Sequence, residues 1–271
     1  MQEETQPNTP TPQERTRPSR AQRRRAQRRQ RALPASVEGR SALLQNLVKR
    51  AYPSYEFFVF AVLCGAILGL GYLLDAQAVL VFGILMAPLM SPIVGVNLAI
   101  VSGSGSYFFK SLLAFAVGSL LIFLTGALAG LAARIWLPLT LTQAFQHTRL
   151  WWPDLVVLAL GAMLLAASFV RSEKKPFLPS VMVAYELFLP LNAAAFGLAS
   201  QVDHLFLEGI LVFVVHLGWA LLFGALSLFF LGFRPVKLSS WLFSLLAIGI
   251  LFFVLGNLLL TGTSQTMTNG D

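Results

Sequence analysis

From Gln77 to Val101 the chain is apolar for long enough to cross a bilayer core of about 30 Å at about 1.5 Å per residue, yet its middle reads Ala87-Pro88-Leu89-Met90-Ser91-Pro92. Each proline lacks a backbone donor and disfavours helical geometry in the residue before it, so carbonyls near mid-span lose their partners. Lipid supplies no replacement, and such a break survives only where it packs against protein or lines a polar cavity. A proline kink that merely bends a packed helix is the plainer alternative.

The rest of the composition agrees with a membrane setting. The 271 residues are 56% hydrophobic and 12% charged, and the mean hydropathy is +0.70, outside the range of soluble domains. The expected fold is all-α, a polytopic integral membrane helix bundle. Seven segments reach spanning length, at about Tyr55 to Leu74, Gln77 to Val101, Phe109 to Ala133, Pro153 to Val170, Phe177 to Ala199, Leu205 to Leu231 and Ser240 to Leu260. The single cysteine, Cys64, lies inside an apolar run, can form no intramolecular disulfide and has no metal-ligand spacing around it.

Twelve of the twenty Lys and Arg precede Tyr55, so the basic pI near 10.2 describes one end of the chain. Residues 1–35 hold almost no large apolar side chains and read as a disordered cytoplasmic tail. Its Arg-rich core, with Arg23, Arg24, Arg25, Arg28, Arg29 and Arg31, suits anionic lipid headgroups; nucleic acid is the less favoured partner. Residues 36–54 read as a juxtamembrane interfacial helix and 55–261 as the membrane domain, with a polar tail at 262–271. The distribution of Lys and Arg among the connections favours a cytoplasmic N-terminus and an outside C-terminus, in a cell (plasma) membrane. A homo-oligomer is left open.

Pro92 to Leu128 aligns without a gap onto Pro190 to Leu226, an offset of 98, and at the same offset Glu56 meets Asp154. Two units, 55–134 and 153–232, would each hold three spans, with 240–260 an extra helix. Because three is odd, the units would run in opposite senses across the membrane. They would set proline-broken helices on either side of a pseudo-two-fold axis, an arrangement found in secondary transporters. Apolar segments also align by chance, so shared composition accounts for part of the match.

Asp75-Ala-Gln-Ala-Val-Leu-Val-Phe-Gly-Ile-Leu-Met-Ala-Pro-Leu-Met-Ser-Pro-Ile-Val-Gly95 resembles the signature of the uncharacterised hydrophobic-domain family, the domain of unknown function 389. There a short polar step precedes a run of the type AAVVIGAMLIxPLMGPIxG. The similarity extends over roughly Tyr55 to Pro235, through Trp152-Pro153-Asp154 and Gly232-Phe-Arg-Pro235. Ser91 stands where members usually have Gly, and Glu186-Leu-Phe-Leu-Pro190-Leu-Asn192 stands where they tend to carry Val-Pro-Pro. The resemblance implies a fold and a membrane location rather than an activity.

Among individual residues, Glu186 lies near the middle of the fifth span, one turn before Pro190. A charged carboxylate at that depth costs on the order of 3 kcal/mol and ordinarily faces a cavity or a partner. It is a candidate for proton or cation coupling, or structural glue if neutral. His216 sits at a similar depth in the sixth span and suits either a relay with Glu186 or an interhelical hydrogen bond. Asn97 and Asn192 flank the two prolines and could meet a solute or the freed carbonyls. With Pro88, Ser91, Pro92 and Pro190 they make up the expected substrate or ion pathway. No HExxH pair, GxSxG elbow or Cys/His cluster occurs, so an enzyme, a cofactor and a metal are not expected. The favoured function is a transporter or channel for a small solute or ion. The alternative is a non-transporting scaffold that presents the Arg-rich tail to lipid, RNA or a protein.

Overall fold

A computed structural model describes residues 37–135, 140–172 and 176–233, with scattered positions between 241 and 256. The expected Arg-rich tail, the seventh span at 240–260 and the C-terminal tail lie outside the fully described residues. The chain divides into two compact units, 1–40 and 41–271. Helix α1, Val37–Ala51, crosses that boundary, and the remaining described helices belong to the second unit. These are α2 Tyr55–Leu73, α3 Gln77–Leu85, α4 Ser91–Ser102, α5 Gly105–Ala133, α6 Thr142–His147, α7 Trp152–Arg171, α8 Phe177–Ser200 and α9 Leu205–Phe230. Five of them, α2, α5, α7, α8 and α9, are long and apolar enough to cross a membrane. This is a helical integral membrane protein.

The expected interruption of the second apolar segment is present: α3 ends at Leu85, α4 begins at Ser91, and Ala87 to Met90 are not helical. The expected break at Pro190 is not. Helix α8 continues through Pro190 without interruption. A proline inside a helix deprives the carbonyl four residues earlier of its donor, here that of Glu186. The His216 ring restores it, with Nδ1 2.7 Å from the Glu186 carbonyl oxygen. One proline can be rescued by one side chain, whereas Pro88 and Pro92 together remove too many donors.

Small residues let the helices approach closely. Gly65 and Gly69 of α2 lie against Thr125, Ile122 and Ala129 of α5, and Gly126 and Gly130, next to them on α5, lie against Asn192 and Phe196 of α8. Glycines four apart put two close contacts on one helix face, and in lipid such packing replaces the missing hydrophobic drive between helices. Helix α8 is the most enclosed of the five long helices, with about four-fifths of its apolar window buried. Asn192 clamps the centre, its Nδ2 donating to the Gly65 carbonyl at 3.1 Å and the Ile122 carbonyl at 2.9 Å.

Helix directions follow from contacts at the ends. Arg50, just before α2, donates to the carbonyls of Phe169 at 3.1 Å and Ser172 at 2.7 Å, at the end of α7. Asp75, just after α2, accepts from the backbone of Gln143, which precedes α7. The two helices therefore run in opposite directions. Helices α4 and α8 close with the same turn: Gly103 and Gln201 are left-handed at φ 67° and 60°. The amide two residues past each helix reaches back, Ser104 to Ala99 at 3.0 Å and Val202 to Gly197 at 3.1 Å. All of these partners are offset by 98.

Candidate functional site: a cavity reaching mid-span

The connection from α5 to α7 contains a short helix, α6. Asp75 holds its start. The carboxylate accepts from Thr140 Oγ1 at 2.5 Å and from the Gln143 amide at 2.7 Å, doing for a helix N-terminus what a neighbouring cap residue usually does. Burial acts to raise the Asp75 carboxyl, but these bonds and those of Thr142 outweigh it and hold it below the usual carboxylate range. A depressed folded-state value means the contribution is present above the unfolded-state value of about 4 and lost as pH falls through the folded one. Asp75→Asn is expected to loosen α6 at neutral pH, read as faster proteolytic cleavage between Thr140 and Trp151. Wild type should match the variant only in strong acid.

Behind α6, His147 bonds the Gln143 carbonyl through Nδ1 at 2.7 Å and meets the Tyr185 hydroxyl through Nε2 at 3.3 Å. A carbonyl only accepts, so Nδ1 carries the proton and Nε2 accepts from the tyrosine. Burial pushes the His147 imidazole below its usual value, against the opposing effect of the Gln143 bond. The ring is neutral at pH 7, and it ties α6 to the first half of α8.

A cavity of about 670 Å³ lies beneath this cover. Arg149, Trp151 and Asp154 line it near the start of α7, and Glu186, Pro190 and His216 line its deep end. Glu186 is the tenth residue of the 24-residue α8, and His216 the twelfth of the 26-residue α9, so the deep end is at mid-span. The nearest approach of the two side chains is 3.7 Å, from Glu186 Oε2 to His216 Nδ1. Because His216 Nδ1 donates to the Glu186 carbonyl, a neutral ring leaves Nε2 as an acceptor, and this atom is buried with no partner among the described residues. The Glu186 carboxyl at the end of the cavity can take up, hold and pass on a proton, with the buried imidazole of His216 beside it.

The structure thus joins Glu186, His216 and Pro190, as the sequence suggested. It separates them from the other expected pathway residues. Asn192 bonds carbonyls of α2 and α5 and faces no cavity described here. Asn97 is packed against Gly224 of α9. Pro88 and Ser91 line a second cavity, of about 420 Å³, together with Glu56. The Met90 amide donates to Ser180 Oγ at 2.5 Å, which ties the broken segment to α8.

Asp154, Tyr185 and His147 were missed as cavity residues. Asp154 carried one signal, its match to Glu56 at the repeat offset; the other two carried none, since a tyrosine and a histidine near span ends are ordinary.

The comparison with known families can now be set against this geometry. The model of the domain of unknown function DUF389 matches residues 84–222, slightly more than half of the chain. The chain belongs to this family. The matched region runs from the end of α3 to the middle of α9 and includes the break, Glu186 and His216. No curated protein and no solved structure matches the chain. The DUF389 assignment therefore names a lineage and leaves the chemistry to the site.

Proposed function

We propose that this DUF389 protein is a proton-coupled transporter or channel for a small solute or ion. The reading is carried by the cavity that leads from α6 and the start of α7 to Glu186 and His216 at mid-span. Ionisable groups that face a cavity inside a membrane mark ion and proton paths. Glu186 exchanges its proton through the cavity, and the change of charge biases one three-span unit against the other about Pro92 and Pro190. No covalent step is required, so the reading is not enzymatic.

An inverted pair of units is supported by the opposed directions of α2 and α7, by the matching turns after α4 and α8, and by a reciprocal contact. Gly126 of the first unit packs on Asn192 of the second, and Gly224 of the second packs on Asn97 of the first. The glycines are equivalent at the offset of 98 and the asparagines, 95 apart, are not, so the reciprocity is between helix pairs, α5 on α8 and α9 on α4. Segment 240–260 would be a seventh span outside the pair. With the basic tail on the cytoplasmic face of the cell membrane and bound to anionic headgroups, the C-terminus lies outside.

The test uses purified protein in liposomes loaded with a pH dye and polarised by a potassium gradient with valinomycin. Wild type is expected to acidify the lumen and Glu186→Gln to leave it at the rate of empty liposomes. Deleting residues 1–31 should keep the flux. A wild-type rate in Glu186→Gln would remove Glu186 from the path, and loss of flux on deleting the tail would favour the scaffold.

A further inference from the structure

The second cavity differs from the first in the groups it offers. The broken segment lines it with residues 85–88 and Ser91, and Glu56 of α2 and the rings of Phe57, Phe60 and Phe177 also line it. Among the described residues, no hydrogen-bond donor reaches the carbonyls of Leu85, Met86, Ala87 or Pro88. The reason is local. Pro92 has no amide to offer Pro88, the Ser91 amide turns back to the Leu89 carbonyl at 2.7 Å, and the Met90 amide goes to Ser180. Four consecutive acceptors are left at the C-terminal, electronegative end of α3.

Donors are scarce at the same place. Of the first four amides of α4, Ser91 is used, Pro92 has none and Val94 bonds the Met90 carbonyl at 3.4 Å. Only the Ile93 amide, and that of Leu89 ahead of the helix, lack a partner among the described residues. The helix N-terminus that would ordinarily attract an anion is thus largely spent. Unpaired carbonyl oxygens, a serine hydroxyl and a carboxylate form a ligand set for a hard cation. One carboxylate balances one charge, whereas sites for divalent ions usually gather several.

The cavity's position relates it to the proposed path. Ala87, Pro88 and Ser91 correspond at the offset of 98 to Tyr185, Glu186 and Leu189, and Glu56 corresponds to Asp154. All four counterparts line the first cavity. Each cavity thus runs from an acidic first helical turn to mid-span, and the starts of α2 and α7 lie at opposite ends of antiparallel helices. We propose that the cavity at the break is a binding site for a monovalent metal cation, Na⁺ or K⁺, ligated by the carbonyls of residues 85–88 and Ser91 Oγ, with Glu56 at its mouth. Its role as a coupling-ion site rests on the transport reading; binding itself does not.

Binding is measured on the full-length protein in detergent, with thermal unfolding followed in NaCl, KCl and choline chloride at equal ionic strength and equal chloride. At least one metal cation is expected to raise the midpoint over choline by about 3 °C or more. Ser91→Ala should abolish the shift, the exposed Glu56→Gln should reduce it, and Glu186→Gln should keep it. The same midpoint in all three salts overturns the proposal, as does a full shift in both Ser91→Ala and Glu56→Gln. A cation shift without proton flux would retain the site and reject the transport reading; flux without a shift would do the reverse.

Discussion

Gly126→Leu is expected to cost about 3–5 kcal/mol and to turn a monodisperse protein into one that aggregates on extraction. A Cβ at Gly126 would lie 2.7 Å from the Asn192 carbonyl oxygen and 2.8 Å from its Nδ2. The first of these atoms is backbone, so relief requires α5 and α8 to separate rather than a side chain to turn. Separation also breaks the Asn192 bonds to Gly65 and Ile122, which hold α2, α5 and α8 together. Overpacking contributes about 1–3 kcal/mol and each interhelical bond about 0.6–1.7. Gly249→Leu is the control, because a Cβ there would meet nothing within 4 Å among the described residues. Equal midpoints for the two variants would mean that α5 and α8 are not in the close contact described.

The second large effect is all-or-none. In a Cys64→Ala background, cysteines placed singly at Ser104 and Gln201 are expected to react with an impermeant maleimide from opposite sides of the membrane. The two positions are 97 apart and lie in equivalent turns, after α4 and α8, that are themselves related by the repeat offset of 98. Three crossings separate a residue from its counterpart if the units are inverted, and an odd number of crossings changes the side. Cys64 is fully buried, so its removal costs about 1 kcal/mol and leaves the topology intact. Labelling of both positions from one side would rule out the inverted pair and, with it, the rocking mechanism.

Much of this fold was legible in the chain because its causes are local. Spanning length and apolar composition mark α2, α5, α7, α8 and α9 without knowledge of their neighbours. The Ala87 to Met90 interruption is dictated by Pro88 and Pro92, whose missing donors no other part of the chain can restore. Glu186 was legible as well, since a carboxylate at mid-span needs a cavity or a partner wherever the helix faces.

What the tertiary structure alone decided is which faces meet. Pro190 looks like Pro92 in sequence, but His216 of α9 reaches the carbonyl that Pro190 strands, and α8 stays whole. Asn192 looks like a pathway residue, but Gly65 and Gly126 bring α2, α5 and α8 so close that both protons of its side-chain NH2 are used on carbonyls of α2 and α5. Asp154 and Tyr185 gain their place beside Glu186 only because α7, α8 and the short α6 converge over one cavity. Hydropathy and proline content act along the chain and fix where it is helical. Partners across a bundle depend on helix rotation and on how closely glycines let helices approach, and no single segment contains that information.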